Sequence, residues 1–296
     1  MPAMKIGMTM PVMEYDLDRI ILRNWAETID QGPWDSLAFG ERIVFPNPDI
    51  LVLLGACAAW TQRVEIITTI FVTALHDPVK LAKQIATADM LAGGRLKVGM
   101  GIGGREEDYR AVSADLALRK NAEMARAVGI MRQVWAGEHV VEGVDRPVGP
   151  PCFTPGGPPL LAGAMGPKAI AIAAQWADGV CGMSFGPDPQ EIAANFAMVN
   201  EAWAKADRPK PQLGTSFWFA VGDDARDRVA GHLKRYFTWV SPAERDAIAG
   251  MAGFAGSAQE LKDVLKRIED VGTDEVLLIP TSSDVDQVRR AADVIG

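Results

Sequence analysis

Residues 76–104, HDPVKLAKQIATADMLAGGRLKVGMGIGG, decide how the rest of the chain is read. Asp77 followed by Pro78 predicts a helix start: a side chain that accepts from orphan amides, then a residue whose missing N–H costs nothing at the first helical position. Leu81, Ile85, Ala88 and Ala92 recur at helical spacing and give one apolar face. Gly93-Gly94 supplies the left-handed backbone that ends a helix. A short buried strand with Leu96, Val98 and Ile102 follows, and its end, 99–104, is nearly stripped of side chains. Bare backbone at a strand end either relieves crowding between strands or lets a flat or anionic molecule approach closely.

The same strand–helix rhythm extends in both directions. Strands are predicted at 5–10, 35–40, 64–72, 160–164, 179–184, 213–221 and 275–279, the third being rich in β-branched residues. Helical segments separate them, one opened by Asn47-Pro48 and another by the capping box Ser257 to Glu260. With the strand of the opening stretch this makes eight strands, each followed by helical material, which argues for a parallel sheet. At 296 residues the natural closure is an α/β single-domain (β/α)8 TIM barrel covering 1–296, with an open doubly wound sheet as the alternative. The stretch 140–159, dense in Gly and Pro, reads as an inserted loop lying over one end of the barrel.

Composition narrows the function. Hydrophobic residues make up 48% and charged residues 23%, as in a globular chain with a large core. A formal net charge of −8 argues against a nucleic-acid or anionic-membrane surface. The 3 cysteines, Cys57, Cys152 and Cys181, are far apart and fit small buried residues in a reducing compartment. The start of the chain has no secretory pattern and the apolar run 50–60 is too short to span a bilayer, so a cytoplasmic protein without membrane contact is expected. No metal-binding or serine-hydrolase motif is present, and no metal is expected.

In a barrel, chemistry belongs at the C-terminal strand ends. Gly99-x-Gly101-x-x-Gly104 matches the dinucleotide fingerprint literally, but its glycines lie inside the strand instead of opening a helix. Gly163, Ala164, Met165 and Gly166 form a strand-to-helix turn, with Pro167 at the first helical position and Lys168 in the first turn. Free amides, helix dipole and ammonium suit a phosphate there; an ordinary turn with a solvated lysine is the alternative. His76 is the only histidine at a predicted strand end, and Glu41-Arg42 reads as an internal ion pair or as a ligand-orienting pair. Glu106, Glu107 and Asp108 read as a solvated helix start, and Lys97 lies near a strand start, which argues against a Schiff-base lysine.

Three stretches carry a resemblance: WDSLAFGE at 34–41, the run 76–109, and LLAGAMGPKAIAIAAQWADG at 160–179. They resemble the bacterial luciferase-like superfamily of flavin- and deazaflavin-dependent oxidoreductases, over essentially the whole chain. The resemblance implies a TIM barrel, often a homodimer, that binds FMN or coenzyme F420 at the strand ends and acts on a small organic substrate. Reduced FMN, supplied by a flavin reductase, would serve oxygen-dependent monooxygenation; F420 would serve hydride transfer. The family's phosphate turn falls on Gly163 to Lys168 and its ring-facing positions on Glu41, Arg42, Thr69, Ile70, Gly101 and Gly103. A non-prolyl cis peptide is expected near Thr69-Ile70. Glu41 and Arg42 would fix ring or substrate, and His76 would move a proton. The loop 140–159 would cover the site, with Met100, Phe71 and Trp218 as apolar walls or, equally, as plain core.

Two departures stand out: Arg42 replaces a histidine found in luciferase and several deazaflavin enzymes, and Ile102 replaces luciferase's phosphate-facing arginine. His76 also sits one residue further from its proline than the common family pattern. A non-catalytic flavin-binding or storage protein is the competing class.

Overall fold

In the computed structural model, which describes residues 3–295, strands and helices alternate almost throughout. The order is β1 (Lys5–Thr9), α1 (Arg19–Gln31), β2 (Ser36–Phe39), α2 (Ile50–Trp60), β3 (Glu65–Val72), α3 (Pro78–Ala92), β4 (Leu96–Gly101). Two helices, α4 (Glu106–Ala111) and α5 (Asn121–Trp135), precede β5 (Leu160–Ala162); then come α6 (Pro167–Ala173), β6 (Gly179–Cys181), α7 (Pro189–Lys205) and β7 (Gln212–Val221). The last part holds α8 (Ala225–Tyr236), α9 (Pro242–Met251), β8 (Phe254–Gly256), α10 (Ala258–Asp270), β9 (Glu275–Pro280) and α11 (Asp286–Ile295).

Every strand pairing is parallel, and the pairing of β6 with β7 closes a ring in the order β1-β2-β3-β4-β5-β6-β7-β9. This is the expected eight-stranded barrel. One strand lies outside it: β8 pairs only with the last residues of β7, from Phe219↔Phe254 to Val221↔Gly256. Three residues of Phe-Ala-Gly carry too little pattern to be read as a strand from sequence.

The opening stretch folds as its residues dictate. Asp77 caps α3 by accepting from the Lys80 amide at 2.8 Å, and Gly93 ends the helix with φ +61°. The cap of α2 differs from expectation: Asp49 accepts from the Leu51 and Val52 amides at 3.0 and 2.9 Å, so the helix starts after Asn47-Pro48. A carboxylate satisfies two orphan amides at once, which explains the choice.

The barrel interior is layered. At the N-terminal end of the strands, Lys97 is paired with Glu65 at 2.8 Å and Glu275 at 3.1 Å, and Ser36 and Gln212 donate to Glu275 at 2.6 and 2.8 Å. Above this polar plug lies a small apolar layer of Ala38, Ile67, Leu161 and Leu277, with Cys181 against it. The large core sits between barrel and helices, where Met100 and Phe71 are fully buried. Among the described residues no helix is long and apolar enough to cross a membrane.

The loop 140–159 lies at the opposite end from the one expected. The Lys83 ammonium near the middle of α3 donates to the Gly149 carbonyl at 2.6 Å, the Thr154 amide donates to Asp89 at 2.7 Å, and Phe153 lies against Gly94, the last two at or just past the C-terminal end of α3. A helix-to-strand connection must begin where α5 ends and finish where β5 begins, and both points are at the N-terminal end of the barrel.

Candidate active site

At the C-terminal strand ends a cavity of about 240 Å³ opens above the apolar layer. Thr9 of β1, Gly40 after β2, Thr69 and Ile70 of β3, Gly163 after β5 and Ser216 and Trp218 of β7 line it, and Met165, Met183 and Tyr236 reach it from connections and helix ends. In a ring of eight, β3 stands across from β7, so Thr69 and Ile70 face the Ser216–Trp218 side.

The β3 wall is built by an irregularity. The β3–β4 register shifts between Thr68 and Phe71, and the Thr69–Ile70 peptide within this bulge is cis, at the expected position. The glycines of neighbouring strands answer it. A Cβ on Gly40 would collide with the Thr69 carbonyl oxygen, one on Gly101 with Ile70 Cδ1, and one on Gly163 would stand 2.8 Å from Ile70 Cγ2. Gly103, at φ +65°, would press a Cβ to 2.8 Å from Val72. Gly101 and Gly103 are therefore bare to admit Ile70 and Val72 of β3, and neither lines the barrel-mouth cavity. It is Ile70, carried by those glycines, that is offered to the cavity.

Glu41 and His76 meet just outside this wall, whereas Arg42 turns away from both to Glu107 and Asp108, so Glu41 and Arg42 do not form the internal ion pair that their adjacency offered. The Glu41 carboxylate accepts from the Val72 amide at 2.7 Å and meets His76 Nε2 at 2.8 Å; its own amide donates to the Ile70 carbonyl at 3.3 Å. With only 2% of its side chain exposed and both oxygens engaged, it braces the bulge. His76 borders a separate cavity of about 110 Å³ with Gly101, Thr73 and Lys120. Arg42 Nε donates to Asp108 at 2.9 Å and Nη2 to Glu107 at 3.3 Å, and its guanidinium lies 5.3 Å from the Phe45 ring centre and 5.2 Å from that of Trp239.

Of the acids 106–108, Glu106 is exposed as a solvated helix start requires, but Glu107 and Asp108 turn to Arg42. Asp108 is buried, and its second oxygen accepts from the Ile43 and Val44 amides at 3.0 and 2.7 Å. A buried guanidinium needs a buried counter-charge, and only the fold brings β2's end to α4.

Of the phosphate-turn residues, Gly163 and Met165 line the cavity, Ala164 is buried, and Gly166 caps α6 at φ +80° with Pro167 following. Lys168 is exposed and makes no ion pair among the described residues. Cys181 lies in the cavity floor, where burial pushes its thiol up to about 12, so it stays protonated and unreactive at neutral pH. Of the three residues read as walls or plain core, Met100 and Phe71 are core and Trp218 lines the cavity. Among the described residues no cluster of three or more His, Cys, Asp or Glu could hold a metal ion.

Sequence reading missed the group that covers the mouth. Arg105 donates to the Tyr236 hydroxyl at 2.8 Å, and its guanidinium lies 3.6 Å from the Trp239 ring centre. Behind Tyr236, buried His232 meets Glu14 at 2.6 Å, and Arg235 donates to the other Glu14 oxygen at 2.8 Å. The signal available was the aromatic run Tyr236-Phe237-x-Trp239 between two helices, a poor sequence for an exposed connection.

Fold and mouth together define an α/β barrel with a cavity at the C-terminal strand ends. The chain belongs to the luciferase-like monooxygenase family, whose model matches residues 21–289. It is 31% identical to an uncharacterized protein of Mycobacterium tuberculosis over 219 residues, 63% of this chain and 74% of that one. An F420-dependent glucose-6-phosphate dehydrogenase of Beutenbergia cavernae is 31% identical over 191 residues, 60% of this chain and 54% of the enzyme. Among solved structures, an F420-dependent secondary alcohol dehydrogenase in complex with an F420–acetone adduct superposes with a TM-score of 0.80 at 18% identity, covering 99% of this chain and 98% of the other.

Proposed function

We propose that this chain is an oxidoreductase that seats the tricyclic ring of FMN or of coenzyme F420 in the barrel-mouth cavity and acts on a small organic substrate. The observation that carries the reading is the Ile70 wall: a cavity at the strand ends, flanked by bare backbone at Gly40 and Gly163, with one aliphatic side chain held out by the bulge of β3. A flat apolar face of this kind suits a flat ring. At about 240 Å³ the cavity is below the ~300–1,000 Å³ of sites that enclose a whole drug-sized ligand, so the ring would enter and the ribityl tail would stay outside. The tail's phosphate would reach the amides of Ala164, Met165 and Gly166, with unpaired Lys168 beside them.

The bound ring supplies the redox chemistry, oxygen-dependent with FMN and hydride exchange with F420. The chain's own residues orient and shield it. Ile70 would set the plane, and Thr9, Thr69 and Ser216 line the cavity where their hydroxyls would meet ring polar atoms, Ser216 as an acceptor because it donates to the Gly182 carbonyl. Glu41 and His76 hold the β3 bulge, while Arg42 with Asp108 holds the end of β2; all three candidates from sequence thus act as positioning residues in this reading. Membership of the family and the F420-dependent relative support both the ring and the redox class.

Absorbance titration of the purified protein with FMN and with F420 tests the proposal. Saturable binding of one of them, weakened in Lys168→Ala and abolished by Gly163→Val, is the expected result; binding of neither overturns it. Turnover that needs oxygen and a flavin reductase marks the FMN route, and anaerobic turnover of reduced F420 marks the other. Binding without either returns the storage protein.

A further inference from the structure

Tyr236 is held more tightly than a filler of an aromatic cluster needs to be. It is the last residue of α8 and lines the cavity beside Trp218. His232, one turn earlier, lies nearly parallel to it, ring centres 6.0 Å apart at 11°. Trp239 and Phe237 meet it edge-on at 5.0 and 5.1 Å, at 86° and 87°. His232 is itself fixed by Glu14, which lies in the β1–α1 connection next to cavity-lining Met13. The ring therefore has one orientation.

Its hydroxyl has one unclaimed role. A guanidinium has donors only, so at 2.8 Å Arg105 fills an acceptor site on the phenol oxygen and leaves the O–H proton free. No acceptor for that proton is found among the described residues. Apart from Thr9, Thr69 and Ser216, whose hydroxyls the ring reading takes up, the rest of the cavity offers little polarity. Met10, Met13, Met165 and Met183 contribute adaptable thioethers, Ser216 donates to the Gly182 carbonyl at 2.9 Å, and no charged side chain lines the space. A carboxylate or phosphate buried there would meet no cation among the lining residues, since Arg105 reaches the space only through the Tyr236 hydroxyl, and such burial is costly. A molecule with one acceptor oxygen on an apolar frame would have a partner for each part.

We infer that Tyr236, positioned by Arg105, donates a hydrogen bond to the oxygen of the substrate, and that this substrate is an uncharged, mainly apolar ketone, aldehyde or the corresponding alcohol. The inference deepens the redox reading above and rests on it for the ring that stands across the cavity, on the Ile70 side. Tyr236 touches substrate; Arg105 acts through Tyr236.

Isotope-edited infrared spectroscopy with carbon-13-labelled cyclohexanone tests this, on the protein with and without its cofactor. The carbonyl stretch of the bound ketone is expected at lower frequency in the wild type than in Tyr236→Phe, which keeps the ring and its packing. Ketone affinity should fall about tenfold in Tyr236→Phe, the worth of one good hydrogen bond, and about threefold in Arg105→Leu. Cyclohexanecarboxylate should bind at least tenfold more weakly than the ketone. Replacement of the 3 tyrosines by 3-fluorotyrosine preserves shape, sharpens the donor and should lower the stretch further, which covers the case of a misfolded variant. Equal stretches in wild type and Tyr236→Phe, no response to fluorotyrosine, no ketone binding, or carboxylate binding as tight as ketone would each overturn the inference. Failure to bind FMN and F420 removes the redox reading alone, since the infrared result on the protein by itself still decides the role of Tyr236.

Discussion

Two long connections interrupt the barrel's rhythm, and they have opposite fates. The one between α5 and β5, residues 136–159, has no helix or strand of its own and lies at the N-terminal end of the strands. Backbone and side-chain hydrogen bonds tie it down, to Asp89 and Lys83 of α3. The other, between β7 and β8, folds into α8 and α9 and stands over the mouth. It is fastened by aromatic rings and two arginines, Arg42 and Arg105, sent from β2's and β4's ends. The difference follows from direction alone. A helix-to-strand connection returns to the closed end of a parallel barrel, whereas a strand-to-helix connection leaves from the open end, so only the second has access to the mouth cavity.

Substitutions at the two sites should separate them by size and by readout. Asp108→Ala strands buried Arg42 without its partner and is expected to cost about 3–5 kcal/mol in urea unfolding, with cofactor binding lost. Trp239→Ala removes the ring shared by both guanidiniums. A loss of about 2 kcal/mol is expected, with faster proteolysis confined to 222–253. At the closed end, Asp89→Ala should cost about 1–2 kcal/mol by freeing the Thr154 amide and hydroxyl, while cofactor affinity stays that of wild type. A cofactor effect as large as that of Asp108→Ala would break the comparison.

The polar plug gives a smaller, pH-dependent effect. Burial raises the Glu65 carboxyl, but hydrogen bonds and charge from Lys97 and Lys5 outweigh it and hold the group below its ordinary 4.5. Burial lowers Lys97, and Glu275 with Glu65 outweighs that and holds it above 10.5. The Glu65 contribution is therefore complete above about pH 4.5 and fades as pH falls through the lowered value; that of Lys97 is complete below pH 10.5 and fades at higher pH. Glu65→Gln should flatten the acid limb of a stability-versus-pH curve by less than about 1 kcal/mol. Least of all, Phe153→Ala, a side chain 62% exposed, should change stability by no more than about 0.5 kcal/mol.

Legibility in the sequence tracked the range of the interaction. Asp77-Pro78 and Gly93-Gly94 bound α3 through contacts within four residues, and both ends were readable. Alternating strand and helix patterns sufficed for the eight-stranded ring. The glycines at 99–104 were readable as bare backbone, but what fills the space beside them, Ile70 and Val72 from β3, lies on another strand. Asp108 looked like one of three acids opening a solvated helix because its partner Arg42 is 66 residues away. Glu14 and His232 are separated by 218 residues, and no local pattern joins them.

By itself, then, the sequence determined the barrel, its strand ends and the family whose residues at 34–41, 76–109 and 160–179 it shares, because period, caps and turn chemistry are local properties of a chain. The tertiary structure alone decided which polar groups face the mouth cavity and which face one another. It turned Glu41, Arg42 and His76 inward as braces and left Ile70 and Tyr236 at the cavity. Burying a charge is tolerable only beside its opposite, and which opposites meet is settled when the ring closes.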